Sequence, residues 1–370
     1  MGVLDVVFYT FVVVVVVQVV FYSVFFSRFA FSKPKKTVPK NYPVSVIICA
    51  KNEADNLKAF IPSIINQNYE EFEIVLINDS SSDNTLEVIK HYASLHKNIK
   101  VVDVKSIEAF WGNKKYALTL GIKASSHDYL LFTDADCKPL SKYWIKEMTA
   151  HFDENIGIVL GYGAYSKVKR SFLNKLIRFE TLVTAINYFS FALSGFPYMG
   201  VGRNLAYTKK DFFKANGFIS HIKVRSGDDD LFVNQVATPE NTAISLSKKT
   251  FTESKPKTTF TAWFKQKRRH ISTAKHYKPK HKVLLSLLYS SNLLFWLLAI
   301  ILLIAAFSWK MVLCLFLFRL ILQFFIFGAS TKKLNEKDLL FFLPILEIFL
   351  IIAQLTIFIN NLISKPNHWK

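Results

Sequence analysis

Cysteine is scarce in this chain: Cys49, Cys137 and Cys314 are the only three in 370 residues. Their wide spacing excludes a disulfide framework and a cysteine-based zinc site. Each reads as a small buried apolar residue in a reducing compartment. Acidic residues are also few, 27 against 47 Lys and Arg, for a net charge of +20. Such a surplus fits nucleic acid, or a membrane surface together with an anionic substrate. No internal repeat is present, so a repeat architecture is excluded. The first residues lack a basic n-region and a small-residue cleavage site, which argues against a cleaved signal peptide.

What the chain has in excess is apolar. Hydrophobic residues make up 51% and the mean hydropathy is +0.24, too apolar for a purely soluble enzyme. The excess lies at the two ends. Val3 to Phe26 is a nearly unbroken run of Val, Phe and Leu, and roughly 20 such residues cross a hydrocarbon core. Arg28, Lys33, Lys35, Lys36 and Lys40 follow it. The positive-inside rule then puts the start of the chain outside and residue 30 onward in the cytoplasm. Val283 to Phe307, Met311 to Ala329 and Leu339 to Ile363 are three further candidate crossings. Ser308-Trp309-Lys310 makes a minimal turn, and Thr331 to Asp338 a polar loop with Lys332, Lys333 and Lys337. The tail with Lys365 and Lys370 would lie outside, a minor violation of the charge rule. Arg319 and Glu347 are costly within lipid, so they are expected to face a partner or lipid headgroups, with pairing to each other, or a substrate path, as alternatives. With spans present, the membrane displaces nucleic acid as the macromolecular partner. The expected plan is a span over 1–27, a basic linker over 28–42, a cytoplasmic domain over 43–275 and a membrane region with about three spans over 276–370. That describes a multi-pass protein of the cell membrane.

The middle of the chain alternates between strand and helix. Val44 to Cys49 is a buried strand rich in β-branched residues. A polar turn from Ala50 to Leu57 opens a helix towards Asn66. Phe72 to Ile77 is a second strand, followed by Asn78 to Thr85 and a helix to about Leu95. Ile99 to Val104 is a third strand. This order implies an α/β fold, a parallel sheet with crossover helices. Ligands then belong at the carboxyl ends of the strands. Glu53 and Asp79 fall there, and so do Asp134 and Asp136, delivered by the strand His127 to Phe132. Two carboxylates spaced i, i+2 offer hard oxygen ligands suited to Mg²⁺ or Mn²⁺, with positions left for phosphates. On its own such a pair usually marks a solvated turn. Asp83 reads as a helix N-cap.

Further along, Asp228, Asp229 and Asp230 are consecutive. Three adjacent carboxylates repel one another, so some of them should titrate high, as a general base requires. An acidic cluster favoured by a helix dipole reads the same way. Arg170 to Leu193 mixes basic and apolar residues at helical spacing. It suits a membrane-surface helix with Arg170, Lys175 and Arg178 towards headgroups, or a buried amphipathic helix.

Taken in order, these motifs resemble the family-2 glycosyltransferases with the GT-A nucleotide-diphospho-sugar-binding fold. Val44 to Leu57, Ile77 to Thr85 and the Asp134/Asp136 pair carry the likeness. It implies that Glu53 and Asp79 hold the nucleotide base, and that Asp136, with Asp134 beside it, binds a divalent metal. Cys49 stands where relatives often have Pro, a local packing change. Gly112 to Leu118 resembles the family's Gly-Lys-x-x-Ala-Leu stretch, which implies that Lys114 lies near the donor, with Lys115 as its rival. Gly200 to Tyr207 resembles the acceptor-side segment. Gly227-Asp228-Asp229 aligns with the Gly-Glu-Asp motif, making Asp229 the implied base; Asp228 is one methylene shorter than the usual Glu, and Asp230 remains a contender or a helix cap. Gln266, Arg269 and His270 align with Gln-x-x-Arg-Trp, with His in place of Trp. There the Arg helps neutralise the diphosphate.

The resemblance covers residues 44–270. It implies a membrane-bound inverting transferase that moves a sugar from a nucleotide-diphospho-sugar, a UDP-sugar in the first instance. The implied acceptor is a lipid or membrane-associated hydroxyl, for envelope glycan or glycolipid synthesis. The alternative within the class is a processive polysaccharide synthase, which the His270 substitution and the small number of spans disfavour. A basic membrane scaffold or a transporter is the non-enzyme alternative; transporters tend to show broken spans with midplane polar sites.

Overall fold

The computed structural model describes residues 2–34, 38, 40–105, 114–224 and 226–364. Lys35, Lys36, Pro39, Gly112, Asn113, Lys365 and Lys370 fall outside the described residues. Helix α1 (Val3–Val20) continues through a π-helical turn, Phe21–Phe26, into the short α2 (Ser27–Ala30). The central domain then alternates: β1 (Val44–Ala50), α3 (Ala54–Ile65), β2 (Phe72–Asp79), α4 (Thr85–Leu95), β3 (Ile99–Val104), α5 (Lys114–Ala124) and β4 (Tyr129–Phe132). Shorter pieces follow: β5 (Cys137–Pro139), α6 (Trp144–Thr149), β6 (Ile158–Leu160) and β7 (Gly163–Tyr165). The long α7 (Phe172–Leu193) leads to β8 (Leu205–Thr208), α8 (Lys209–Lys214), α9 (Asp230–Val236), β9 (Thr242–Ile244) and β10 (Thr252–Ser254). Helix α10 (Phe260–Ile271) precedes the C-terminal helices α11 (Pro279–Ile304), α12 (Trp309–Lys333) and α13 (Leu343–Ile363).

The main sheet has seven strands in the order β3-β2-β1-β4-β8-β6-β9. It is mostly parallel; β8 alone runs antiparallel to its neighbours β4 and β6. Strands β1 and β2 are apolar at nearly every position because both faces are covered. Alternate residues go to opposite sides. Val46, Ile48, Ile74 and Leu76 pack on α3, α4 and α6, whereas Ile47, Val75 and Ile77 pack towards α5 and α7. At Gly121 of α5 a Cβ would lie 2.2 Å from Ile77, so only glycine lets that helix approach the sheet. A second sheet, β5-β10-β7, closes the side next to Asp136.

Five described segments are long and apolar enough to cross a membrane: Val3–Ala30, Phe172–Leu193, Pro279–Ile304, Trp309–Lys333 and Lys337–Ile363. Of these, α7 is largely buried, wedged between the domain and the apolar helices. Arg178 does not face outward as a headgroup contact. It is buried, pairing with Glu336 and, at 2.7 Å, with Asp338. Cys314 corrects another expectation, because it sits exposed on the outer face of α12 rather than buried. Arg319 and Glu347 pair with each other, at 2.7 Å, instead of facing headgroups. Gln18, Asn292 and Gln323 accept the other guanidinium hydrogens, so no donor of this buried arginine is left over.

Candidate active site

The carboxyl ends of β1, β2 and β4 point into one cavity of about 640 Å³. Its walls include Glu53, Asp79, Lys114, Asp134, Asp136, Asp228, Asp229, Gln266 and Arg269, residues up to 216 positions apart (269 minus 53). Glu53 begins α3, and its carboxylate accepts from Asn56 Nδ2 at 2.5 Å. Asp79 ends β2. Its Oδ2 is buried with no hydrogen-bond partner among the described residues. Burial pushes its carboxyl up, and Lys51 and Lys114 pull it back in part. An unpartnered buried acceptor is costly, so the site suits a ligand N–H. Asp83, by contrast, is used up locally: it accepts from Thr85 N at 3.0 Å and from Thr85 Oγ1 at 2.5 Å.

Lys114 rather than Lys115 reaches the cavity. Its Nζ lies 2.9 Å from both Asp134 and Asp228, so it ties the end of β4 to the start of α9. Burial opposes its charge, but the two carboxylates hold it well above the usual lysine range. Lys115 turns the other way and donates to the carbonyls of His221 and Val224 at 2.7 and 2.8 Å.

Asp134 and Asp136 fit a cation. Ligand atoms of Asp134, Asp136 and Cys137 lie within 4.8 Å of one another. Burial and then the neighbouring Asp134 push Asp136 up, so a positive ion there would relieve both. Cys137 is no competitor as a ligand, because burial holds its thiol well above the usual range and it shares a 2.8 Å hydrogen bond with Ser254. The donors are therefore hard oxygens, the set preferred by a divalent cation such as Mg²⁺ or Mn²⁺.

The three consecutive aspartates have separate surroundings. Burial works against Asp228, yet Lys114 keeps it below the ordinary carboxylate range. Asp230 is committed elsewhere. It accepts from Tyr277 Oη at 2.6 Å, from the Thr273 hydroxyl, and from Leu231 N at 2.8 Å. Asp229 caps α9 through Asp230 N at 2.8 Å, a role the sequence had offered to Asp230. Its other oxygen accepts from Gly202 N at 2.6 Å. A Cβ on Gly202 would stand 3.3 Å from that carboxylate, so the bare backbone suits the contact. Burial, then Asp228 and Asp230, push Asp229 up to about 7. A carboxylate poised there is ready for proton transfer near neutral pH.

Residues 45–222 match the family described as Glycosyl transferase family 2. Those residues form a domain of that family. Among curated relatives, a cholesterol galactosyltransferase of Borreliella burgdorferi is 35% identical over 95 residues, 26% of this chain and 25% of its own length. A poly-beta-1,6-N-acetyl-D-glucosamine synthase of Staphylococcus epidermidis is 36% identical over 93 residues, 25% of this chain and 21% of its own length. The matched stretches thus span about a quarter of each relative or less. A solved mannosyltransferase of Pyrobaculum calidifontis, in complex with GDP-Man and Mn²⁺, shares the fold with a TM-score of 0.59 at 18% identity. That likeness covers 90% of this chain and 99% of the mannosyltransferase.

Two groups of cavity residues were not legible in the sequence. Arg203 packs over the Tyr165 ring at 4.3 Å and offsets part of the burial cost at Asp136. Its signal was its place in the Gly200 to Tyr207 segment, where no role had been assigned to it. The second group is Glu180, Thr184 and Asn187 on α7. Their spacing of i, i+4, i+7 puts them on one polar stripe of the helix.

Proposed function

We propose that this chain is a membrane-bound inverting glycosyltransferase. It moves a sugar from a nucleotide-diphospho-sugar to a hydroxyl acceptor delivered by the membrane. The observation that carries the reading is the single cavity that gathers Asp79, Asp134, Asp136, Asp229 and Arg269. The unpartnered Asp79 oxygen suits a base that presents an N–H. Uracil does so, which favours a UDP-sugar; guanine does so too. Arg269 and Lys114 supply positive charge for the diphosphate. Asp134 and Asp136 would hold the divalent cation, which when bound would stabilise the leaving diphosphate. Asp229 takes the proton of the acceptor hydroxyl as the hydroxyl oxygen attacks the anomeric carbon. The nucleotide departs from the opposite face, so the anomeric centre inverts. The closest analogy is inverting hydrolysis with an alcohol in place of water.

Helices α1, α11 and α12 are read as crossings, with the catalytic domain in the cytoplasm. The lipid acceptor is favoured because apolar residues of α11 and α13, Leu285, Leu350 and Ile357, line the same cavity as the aspartates. A processive synthase is the second reading. A growing glycan would need polar walls along its path, and this one is apolar on one side. The test is nucleotide release from a panel of UDP- and GDP-sugars with Mn²⁺ or Mg²⁺ in native membranes, with lipid products read by mass spectrometry. We expect one sugar added to a lipid. Long polymer would support the second reading, and no release from any donor would reject both.

A further inference from the structure

Helix α13 differs from the other apolar C-terminal helices in where its ends lie. Just before it, Asp338 pairs with Arg178 of α7 at 2.7 Å and accepts from Lys167 at 2.8 Å. At its far end, Arg268 of α10 donates to Asn361 Oδ1 at 3.0 Å and to the Asn360 and Ser364 carbonyls at 3.2 and 2.7 Å. Asn361 returns a bond to the Arg268 carbonyl at 3.1 Å. Both α7 and α10 are walls of the catalytic cavity. A helix of 21 residues is about 31 Å long, so a crossing would carry Ser364 to the far side of the bundle. The apolar cluster that contains Phe11, Phe295, Leu302 and Val312 is built from α1, α11 and α12. No α13 side chain joins that apolar cluster among the described residues; α13 meets those helices near its start, where Glu347 pairs with Arg319 and accepts from Trp296 and Gln323.

Helix α13 also has two faces. Leu350, Ala353, Gln354 and Ile357 line the cavity, and their i, i+3, i+4, i+7 spacing makes one stripe. Ile345, Ile352 and Ile359 are exposed on the opposite side, where a bilayer would cover them. Across the cavity stands the polar stripe of α7. The only charged side chain that α7 or α13 gives to the cavity is Glu180, and Lys267 of α10 already pairs with it. A lipid phosphate placed between these two helices would meet an acid and no cation of either.

Resting on the glycosyltransferase reading above, we propose that α13 lies in the plane of the cytoplasmic leaflet instead of crossing it. Its inner face and the polar stripe of α7 form the subsite of a neutral lipid alcohol. The acceptor hydroxyl points to Asp229 while its hydrocarbon rests on Leu285, Leu350, Ala353 and Ile357. The fourth crossing expected from the sequence over Leu339 to Ile363 is replaced. With Ser364 on the cytoplasmic side, the basic tail after it no longer opposes the charge rule.

The test uses the full chain in phosphatidylcholine vesicles. Cysteines introduced one at a time at Ser82, Ser308 and Ser364, in a Cys49→Ser, Cys314→Ser background that keeps only the buried Cys137, are probed with a membrane-impermeant maleimide, with the background protein as the blank. Ser364→Cys should react from the same side as Ser82→Cys and from the opposite side to Ser308→Cys; reaction alongside Ser308→Cys overturns the in-plane placement. A diazirine-bearing dioleoylglycerol should label the peptide that holds Leu350 to Ile357. Unlabelled dioleoylglycerol should displace it, and dioleoyl phosphatidic acid should not. Ala353→Trp should weaken displaceable labelling roughly tenfold, and Ile352→Trp on the outer face should leave it unchanged. Label indifferent to competitor, or displaced equally by phosphatidic acid, overturns the subsite, and wild-type protein suffices for that outcome. UDP and GDP binding with Mn²⁺ in the same preparation separates the two layers. If neither nucleotide binds, the glycosyltransferase reading fails; if binding is intact without displaceable label, only the subsite fails.

Discussion

Burial and two flanking carboxylates push Asp229 up to about 7, against the pull of the Gly202 amide. As a base it must be ionised, so the transfer rate should rise with pH and level off above about 7. A pH–rate profile that is flat from acid to neutral pH contradicts the assignment. The same shift has a stability consequence of opposite sign. A carboxyl whose folded pKa is raised stabilises the fold while protonated, and that contribution is lost as pH rises through about 7. Asn mimics the protonated form, so Asp229→Asn should melt higher than the wild type at pH above 7, with a smaller difference in acid. Thermal unfolding on both sides of neutrality checks this.

Lys114 invites a different substitution. Lys114→Ala leaves Asp134 and Asp228 facing each other without their shared cation, and breaking a buried pair costs about 3–5 kcal/mol. Lys115→Ala instead frees two carbonyls and should leave nucleotide binding alone. Titrating nucleotide into both variants tells the two lysines apart. Sequence alone placed Asp79, Asp134 and Asp136 at strand ends, because apolar runs stop there and acids begin. It left Lys114 against Lys115 open, since adjacent helix residues point about 100° apart and only packing shows which direction is inward.

Among the elements, the strands were the easiest to read. Val44 to Ala50 and Phe72 to Asp79 are buried on both faces, and their apolar runs say so directly. The helices misled where charge was used internally. Arg178 looked like a headgroup contact because it is basic on an apolar helix; its partners Glu336 and Asp338 lie about 160 residues away. Hydropathy likewise gives α13 the length of a span but not the hydrogen bonds that hold its ends. The four-helix polar knot at Arg319 was legible as a pair, while its amide partners Gln18, Asn292 and Gln323 were not. Arg319→Leu should therefore destabilise the protein by about 3–5 kcal/mol, through the uncompensated Glu347, and Arg319→Leu with Glu347→Leu should recover much of that loss. Unfolding in detergent reads both. Equal losses in the single and double variants would show that the knot is not an ion-pair device.

At the scale of the whole molecule, a basic protein places its acids where they are needed. Lys and Arg outnumber Asp and Glu by 47 to 27, yet the cavity gathers Glu53, Asp79, Asp134, Asp136 and the 228–230 trio. Chelating divalent cations should therefore weaken nucleotide binding, because a diphosphate entering without the cation meets carboxylates. The central claim is that one cavity holds both the cation-bound diphosphate and the base that activates the acceptor. Nucleotide binding and sugar transfer, measured side by side on wild type, Asp136→Ala and Asp229→Asn with and without Mn²⁺, test it most directly. The account predicts that Asp229→Asn binds nucleotide with Mn²⁺ as the wild type does but transfers about 10²–10⁴-fold more slowly, and that Asp136→Ala loses the Mn²⁺-dependent part of binding. Wild-type transfer by Asp229→Asn, or nucleotide binding indifferent to both Mn²⁺ and Asp136, would contradict it.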